Sequence, residues 1–130
     1  MKVTRLNAGS PWEGIVGYSR VVVRGETAWV SGTTSSVGGV VLHPGDAAGQ
    51  TREALATIAA ALEKAGFSLN DVVRTRMFVT DISRWEEVGR VHGEVFGSVR
   101  PASTMVAVAA LIDPAMLVEI EADAVRGAGA

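Results

Sequence analysis

The stretch from Val118 to Val125 constrains the fold of this chain more than any other. It reads VEIEADAV, so apolar and acidic residues alternate over the whole stretch. Alternation with a period of two is typical of a β-strand that has one buried face and one polar face. The carboxyl groups of Glu119, Glu121 and Asp123 therefore share one face. The chain needs a sheet whose two faces have different surroundings.

Further runs of β-branched and apolar residues predict the other strands of this sheet. The predicted strands are Val3–Asn7, Tyr18–Arg24, Thr27–Gly32, Val72–Val79, Ser103–Leu111 and Leu117–Val125. The Thr-, Ser- and Gly-rich segment Thr33–Gly45 predicts a loop.

Two segments predict helices. Asp46 is the predicted N-cap of a helix that runs to about Ala65. Ser83 and Glu86 predict a capping box for a second helix, Arg84–Phe96. The order of strands and helices predicts an α+β fold, in which a mixed sheet carries both helices on one face.

The length and composition predict one domain, residues 1–130, that associates with itself. The hydrophobic fraction is 48% and the mean hydropathy is +0.27, which is high for a small soluble protein. In a domain of this size some apolar residues are then expected to lie against another subunit. The last four residues, GAGA, are expected to form a frayed tail.

The composition also argues against several classes of function. The chain has no cysteine, which excludes thiol catalysis, disulfides and thiolate metal sites. The net charge is −2 with no basic cluster, so nucleic acid is not an expected partner. His43 and His92 lie far apart without metal-ligand spacing, so we expect no metal site. No apolar run has the length of a membrane span, and we expect a cytoplasmic protein without a membrane partner.

A second strand near the C-terminus carries polar groups. It begins RPASTM, where Pro101 suits the start of a strand and Ser103 and Thr104 follow directly. Hydroxyl groups here and carboxyl groups on the last strand predict a semi-polar face. We expect that face to meet another subunit and to enclose a polar cleft.

These motifs, taken in order, resemble the Rid family, also called the YjgF/YER057c/UK114 family. The motifs that carry the resemblance are Tyr18, Val30-Ser31-Gly32, the strand Val72–Val79 with Asp81 after it, Pro101-Ala102 and Val118-Glu119-Ile120-Glu121-Ala122. The resemblance implies a chorismate-mutase-like fold and a homotrimer whose three sheets form a barrel with clefts between subunits. It also implies hydrolysis of small reactive imines and enamines to keto acids and ammonia, with no metal or organic cofactor.

The resemblance implies roles for several residues. Glu119 matches the acid of the last strand, which would move protons or orient water. Tyr18 and Gly32 match a site tyrosine and a glycine whose backbone approaches the ligand. Thr104 stands where a serine or threonine is usual, and Met105 replaces a common cysteine.

The sequence departs from the resemblance at three further positions. Ser103 stands where the deaminases carry the arginine that binds the substrate carboxylate. Gly89 stands where many have asparagine, and His92 replaces an aromatic residue. Loss of a bidentate guanidinium contact argues against the usual substrate, 2-aminoacrylate.

Three of the expected substrate-binding residues have a second interpretation. Arg20 follows Tyr18 by two residues, on the same face of a predicted strand, and is either a relocated cation or a surface arginine. His92 is either a packed histidine or a catalytic one. Ser103 is expected to line the cleft rather than to act as a nucleophile, because no His–Asp partners are visible in the sequence.

The sequence therefore leaves three functions to compare. The first is a diverged Rid-type hydrolase or deaminase that acts on a small imine, enamine or related C–N substrate. The alternative is a non-catalytic trimer that binds a small metabolite. An RNA-cleaving enzyme comes third, and the acidic charge and the lack of a paired His acid–base set count against it.

Overall fold

The computed structural model describes residues 2–127, so most of the predicted GAGA tail lies outside the described residues. The strands are β1 Val3–Leu6, β2 Val21–Arg24, β3 Thr27–Thr33, β4 Ser36–Val37, β5 Val40–Val41, β6 Val72–Val79, β7 Ala102–Ala107 and β8 Val118–Val125. The helices are α1 Glu13–Val16, α2 Ala47–Lys64 and α3 Trp85–Phe96, with 3-10 turns at Leu69–Asp71 and Ile82–Arg84.

Six of the strands form one mixed sheet in the order β1-β2-β3-β8-β6-β7. Its neighbours are antiparallel except β6 and β7, which are parallel. Strands β4 and β5 make a separate hairpin. The predicted α+β fold is confirmed, with the acidic strand β8 inside the sheet and β7 at its edge.

The core lies between this sheet and the two long helices. In β8 the apolar residues Val118, Ile120, Ala122 and Ala124 are all fully buried, as the alternation predicts. Leu55, Ile58 and Leu62 of α2 belong to the same cluster. Burial of this apolar face accounts for most of the stability of a small domain.

The opposite face of the sheet is polar. Glu119, Glu121 and Asp123 are only partly buried there. Arg76 of β6 shares this face, and its Nη1 lies 3.3 Å from Asp123 Oδ2 and 3.6 Å from Glu121 Oε1. The pairing leaves Glu119 without a salt bridge among the described residues.

A single glutamine connects α2 to the start of β8. Gln50 is fully buried, and its Nε2 donates to Ala115 O at 2.9 Å and to His43 O at 3.2 Å. Its Oε1 accepts from Leu117 N at 2.8 Å. These bonds fix the chain immediately before Val118, and therefore also the position of Glu119.

Several predicted strand bounds are wrong, for identifiable reasons. The predicted strand Tyr18–Arg24 starts only at Val21, so Tyr18 and Arg20 do not lie on a strand face. The strand that was predicted to reach Leu111 ends at Ala107, because its neighbour β6 ends at Val79.

The predicted loop and the predicted capping box also differ from the structure. Hairpin β4–β5 interrupts the segment Thr33–Gly45. No capping box forms, because Asp81 accepts hydrogen bonds from the Ser83 amide at 3.0 Å and the Ser83 hydroxyl at 2.6 Å. Glu86 instead accepts from Arg90, one helical turn later. The N-cap of α2 is Asp46 as predicted, accepting from Gly49 N at 2.9 Å.

No helix among residues 2–127 is long and apolar enough to span a membrane.

Candidate active site

Four of the predicted site residues line one cavity of about 750 Å³. They are Tyr18, Arg20, Gly32 and Glu119. The cavity is bounded by the segment before β2, by β3 and by the segment between β7 and β8. Residues that are far apart in the sequence thus meet at one site.

The carboxyl group of Glu119 lies directly against the backbone of Gly32. A Cβ atom at position 32 would overlap with the Glu119 carboxylate oxygen Oε2. The register between β3 and β8 shifts between Val30 and Thr33, which places Gly32 in an irregular part of the strand. Glycine is needed here for space, since any side chain would displace the carboxyl group.

Burial raises the pKa of Glu119, and the neighbouring charge of Glu121 raises it further. The positive charge of Arg20 acts in the opposite direction. The burial effect dominates, so the neutral carboxyl group is more populated near neutral pH than in water. Such a group can both donate and accept a proton.

Arg20 is buried, with 7% of its surface exposed, which contradicts the interpretation as a surface arginine. Its Nη1 donates to Gly32 O at 2.7 Å, Thr33 Oγ1 at 2.8 Å and Ser31 O at 3.2 Å. Its buried Nε has no hydrogen-bond partner among the described residues. Its Nη2 makes no hydrogen bond to the described residues either and is not fully buried. Arg20 therefore holds the irregular part of β3 with one nitrogen and keeps donors unused.

Tyr18 is held at the cavity by the segment that precedes it. Its hydroxyl group lies 3.1 Å from Ser10 Oγ, and its ring lies 5.8 Å from the Arg20 guanidinium carbon. The buried carboxylate of Glu13 accepts hydrogen bonds from the amides of Ala8, Gly9 and Ser10 at 3.0–3.1 Å. Glu13 thus anchors this segment.

The other predicted site residues lie elsewhere. Ser103 and Thr104 are exposed on β7, and Met105 is partly buried against the core. His92 of α3 borders a separate depression of about 410 Å³ and packs against Phe96 in a tilted arrangement with ring centroids 4.7 Å apart. The structure thus divides the predicted residues into two groups.

Thr75 joins the second group together and was not predicted from the sequence. It is fully buried, and its Oγ1 lies 2.8 Å from both His92 Nε2 and Ser103 Oγ. The sequence signal that could have indicated Thr75 is a hydroxyl side chain among the apolar residues of β6 that face the helices. Burial lowers the pKa of His92, so its ring is mainly neutral near neutral pH.

The two groups lie on opposite faces of the sheet. Ser103 pairs with Thr75, whereas Glu119 pairs with Phe78, three residues further along β6. Because side chains alternate between the faces, the Ser103 hydroxyl and the Glu119 carboxyl group point in opposite directions. One chain alone does not bring both to one ligand.

Exposed apolar side chains surround the opening of the cavity. Val16 is 67% exposed, Ile112 61% and Val37 56%, and all three line the cavity. Apolar residues grouped in this way are typical of a surface that binds another molecule. Residues 2–127 contain no cluster of three or more His, Asp or Glu side chains that could hold a metal ion.

The fold and the site together define a class of small α+β proteins. Its members have a mixed six-stranded sheet with helices on one face, and a carboxyl group that lies against a glycine beside a cavity. The chain belongs to the Endoribonuclease L-PSP family, the YjgF/YER057c/UK114 or Rid family, whose model matches residues 10–126. The resemblance seen in the sequence is thereby confirmed.

Three relatives illustrate the range of similarity. The crystal structure of Rv2704 from Mycobacterium tuberculosis is 53% identical, with a TM-score of 0.87, and covers 95% of this chain and 99% of that one. The SCO2049 protein of Streptomyces coelicolor is 39% identical over 97% of this chain and 94% of its own. The 3-aminoacrylate deaminase RutC of Acinetobacter baylyi is 42% identical over 62% of this chain and 63% of its own.

Proposed function

We propose that the protein is a Rid-type hydrolase that deaminates a small reactive imine or enamine in a cleft between two copies of the chain. The Glu119 carboxyl group carries this proposal. It is pressed against Gly32 at the wall of the cavity, and burial raises its pKa. Hydrolysis of a C=N bond needs a group that both gives and takes protons near neutral pH. The similarity to a deaminase of this family supports the same chemistry.

In the proposed reaction Glu119 acts at both steps. Its neutral carboxyl group donates a proton to the imine nitrogen while the oxygen of water bonds to the imine carbon and a base takes a proton from that water. The resulting carbinolamine then collapses. The base returns its proton to the nitrogen, Glu119 as carboxylate takes the hydroxyl proton, the C=O bond forms, and the C–N bond breaks so that ammonia leaves. Atoms and charge balance to imine plus water giving carbonyl compound plus ammonia.

Arg20 is the cation that we propose for a substrate carboxylate. Position 103, where the resemblance implies the anchoring arginine, is serine in this chain. Arg20 lines the same cavity as Glu119, and its Nη2 makes no hydrogen bond to the described residues. A guanidinium nitrogen that is free in this way can donate a charge-assisted hydrogen bond to a substrate carboxylate. Tyr18 would cover the bound molecule from the side of the preceding segment.

A neighbouring copy would complete the site. The apolar rim at Val16, Val37 and Ile112 is the surface that it would cover. Its β7 edge, with Ser103 and Thr104, would then face the cavity that holds Glu119 of the first copy. Three such contacts close a ring in the homotrimer that the family resemblance implies.

The experiment that tests the proposal measures loss of imine. An amino-acid oxidase generates imines in solution, semicarbazide traps them, and the protein is added in increasing amounts. We expect less trapped imine with the parent protein and about 100-fold lower activity for Glu119→Gln, in line with the usual contribution of acid–base catalysis.

Asp123→Asn is the matched control, since Asp123 lies on the same strand and face but pairs with Arg76. It should retain its activity within about twofold. The enzyme proposal fails if no imine, with or without a carboxylate, is lost faster in the presence of the parent protein.

The second candidate function is a trimer that binds a small carboxylate without turning it over. The serine at position 103 favours it, because a cleft without its usual anchor can retain ligands that do not react. Titration calorimetry with 2-keto acids separates the two functions. Binding of a keto acid together with the absence of imine hydrolysis supports the binder and contradicts the hydrolase.

A further inference from the structure

The hydroxyl group of Thr75 links two side chains that are distant in the sequence. It lies 2.8 Å from His92 Nε2 and 2.8 Å from Ser103 Oγ, and Thr75 is fully buried. A hydroxyl group has one hydrogen, so Thr75 can donate to one neighbour only and must accept from the other. The three groups therefore form a chain with two possible polarities, toward His92 or toward Ser103.

The two ends of this chain have different surroundings. His92 is partly buried and packed against Phe96, whereas Ser103 is exposed on the edge strand β7. The chain thus connects a sheltered ring to a hydroxyl group at the surface. In such a buried network the hydrogen bonds polarise one another.

The charged groups around His92 are few. Arg100 is the charged residue that lines the same depression as His92. Glu94 of the same helix is paired with Arg52 at 2.8 Å. Arg74 and Arg76 of β6 belong to the opposite face of the sheet from Thr75. No carboxylate among the described residues forms a salt bridge with His92, so a neutral ring is the resting state and can accept a proton.

We infer that Ser103, Thr75 and His92 form a proton relay in which Ser103 meets the ligand, Thr75 is the positioning residue and His92 takes up the proton. This inference deepens the proposed function and rests on it only for its effect on activity. The relay would supply the base that the addition of water requires.

Water held at Ser103 gives a proton to Ser103 Oγ, Ser103 passes its own hydrogen to Thr75 Oγ1, and Thr75 passes its hydrogen to His92 Nε2. The water oxygen bonds to the imine carbon, and the π electron pair moves to nitrogen, which Glu119 of the neighbouring copy protonates. The imidazolium then returns a proton along the same chain to the amine, Glu119 of the neighbouring copy takes the hydroxyl proton, and the C=O bond forms as the C–N bond breaks and ammonia leaves.

The polarity of the chain can be measured without any substrate. Nitrogen-15 NMR of the histidine rings reports the tautomer of His92, and His43, which contacts Glu53 at 3.3 Å, is the internal reference. The relay requires Thr75 to donate to His92, so we expect the neutral His92 ring to carry its hydrogen on Nδ1 and to leave Nε2 unprotonated. Thr75→Val removes this donor and should raise the fraction of the tautomer protonated at Nε2, whereas His43 should not respond. If Nε2 of His92 is the protonated nitrogen in the parent protein, the relay is overturned.

Activity provides the second readout. Thr75→Val should lower kcat about ten-fold or more with KM within about twofold, and Thr75→Ser should restore most of it. Equal kcat values for the two variants would overturn the catalytic role of the relay. Thermal unfolding of each variant shows whether it folds. If the parent protein has no imine activity, the NMR result still decides whether the relay exists, so failure of the proposed function remains distinguishable.

Discussion

At the scale of single residues, Gly32 sets the position of the Glu119 carboxyl group. The carboxyl group occupies the space that a side chain at position 32 would fill. Glu119 is the flexible partner of this contact, so a larger residue would move the carboxyl group at little cost to the fold.

Gly32→Ala is therefore expected to separate activity from stability. The carboxyl group should be displaced, which lowers imine hydrolysis at least ten-fold, while the free energy of unfolding changes by less than about 1 kcal/mol. Urea unfolding and the imine assay measure the two effects. Gly14→Ala is the control, because a Cβ there meets no atom within 4 Å. Full activity of Gly32→Ala would contradict the role of Gly32.

The raised pKa of Glu119 has a consequence for stability. Because the folded-state pKa lies above that of the unfolded chain, stability that is present below the ordinary carboxyl pKa is lost as pH rises through the folded-state value. Glutamine is neutral at every pH. Glu119→Gln should therefore unfold at a higher temperature than the parent at about pH 8, by roughly 1–3 °C. Calorimetry at about pH 4, where the carboxyl group is mostly protonated, should show a smaller difference. A lower Tm of the variant at pH 8 would contradict the assigned direction.

Arg20 should affect substrate binding more than chemistry. Lysine at this position keeps a cation and a donor for the carbonyl groups of Ser31 and Gly32 but has no second nitrogen to offer to the substrate carboxylate. Arg20→Lys is expected to raise KM about ten-fold or more for a carboxylate-bearing imine, and less for one without a carboxylate. Steady-state kinetics on both substrates measure the difference. Equal changes in KM would show that Arg20 does not bind the carboxylate.

The sequence indicates Glu119 and Gly32 of the cavity, but it does not indicate Thr75, whose hydroxyl group links His92 to Ser103. The strand that carries Glu119 is evident from its alternation, and the family resemblance implies the site roles of Glu119 and Gly32. Thr75 belongs to a predicted strand too, but its role arises from contacts with residues 17 and 28 positions away, which are formed only by the packing of α3 and β7 on β6.

At the scale of elements, strand interiors were predictable and strand ends were not. The alternation in β8 specifies which residues are buried, and the structure agrees. Strand β7 ends where its partner β6 ends, and such a limit depends on tertiary pairing. The segment before β2 forms helix α1, which Glu13 anchors. The strand therefore begins at Val21, although the β-rich composition predicts a start at Tyr18.

Gln50 provides a test of how α2 positions the acidic strand. Gln50→Leu removes its bonds to Ala115 and Leu117 and leaves these backbone groups without their partner. The free energy of unfolding should fall by about 2–4 kcal/mol in urea titrations. Glu63→Gln, at an exposed position of the same helix, should change it by less than about 0.5 kcal/mol. A neutral Gln50→Leu variant would show that the position of β8 does not depend on this side chain.

At the scale of the whole molecule, the proposed mechanism requires copies of the chain to share a site. Glu119 and Ser103 of one chain lie on opposite faces of the sheet, and the cavity that holds Glu119 opens between exposed apolar residues. With a chain mass of 13.5 kDa, three times this value gives about 40 kDa for the proposed trimer.

Mixed trimers show whether the active site is shared between copies of the chain. Glu119→Gln and Ser103→Leu variants, each confirmed as a folded trimer by light scattering, are unfolded together in equal amounts, refolded and assayed for imine hydrolysis. If the acid of one copy works with the β7 edge of its neighbour, random assembly should restore about a quarter of the parent activity, because each intact site needs one unaltered residue from each of two copies. Activity no greater than the average of the two separate variants would contradict a site built between copies.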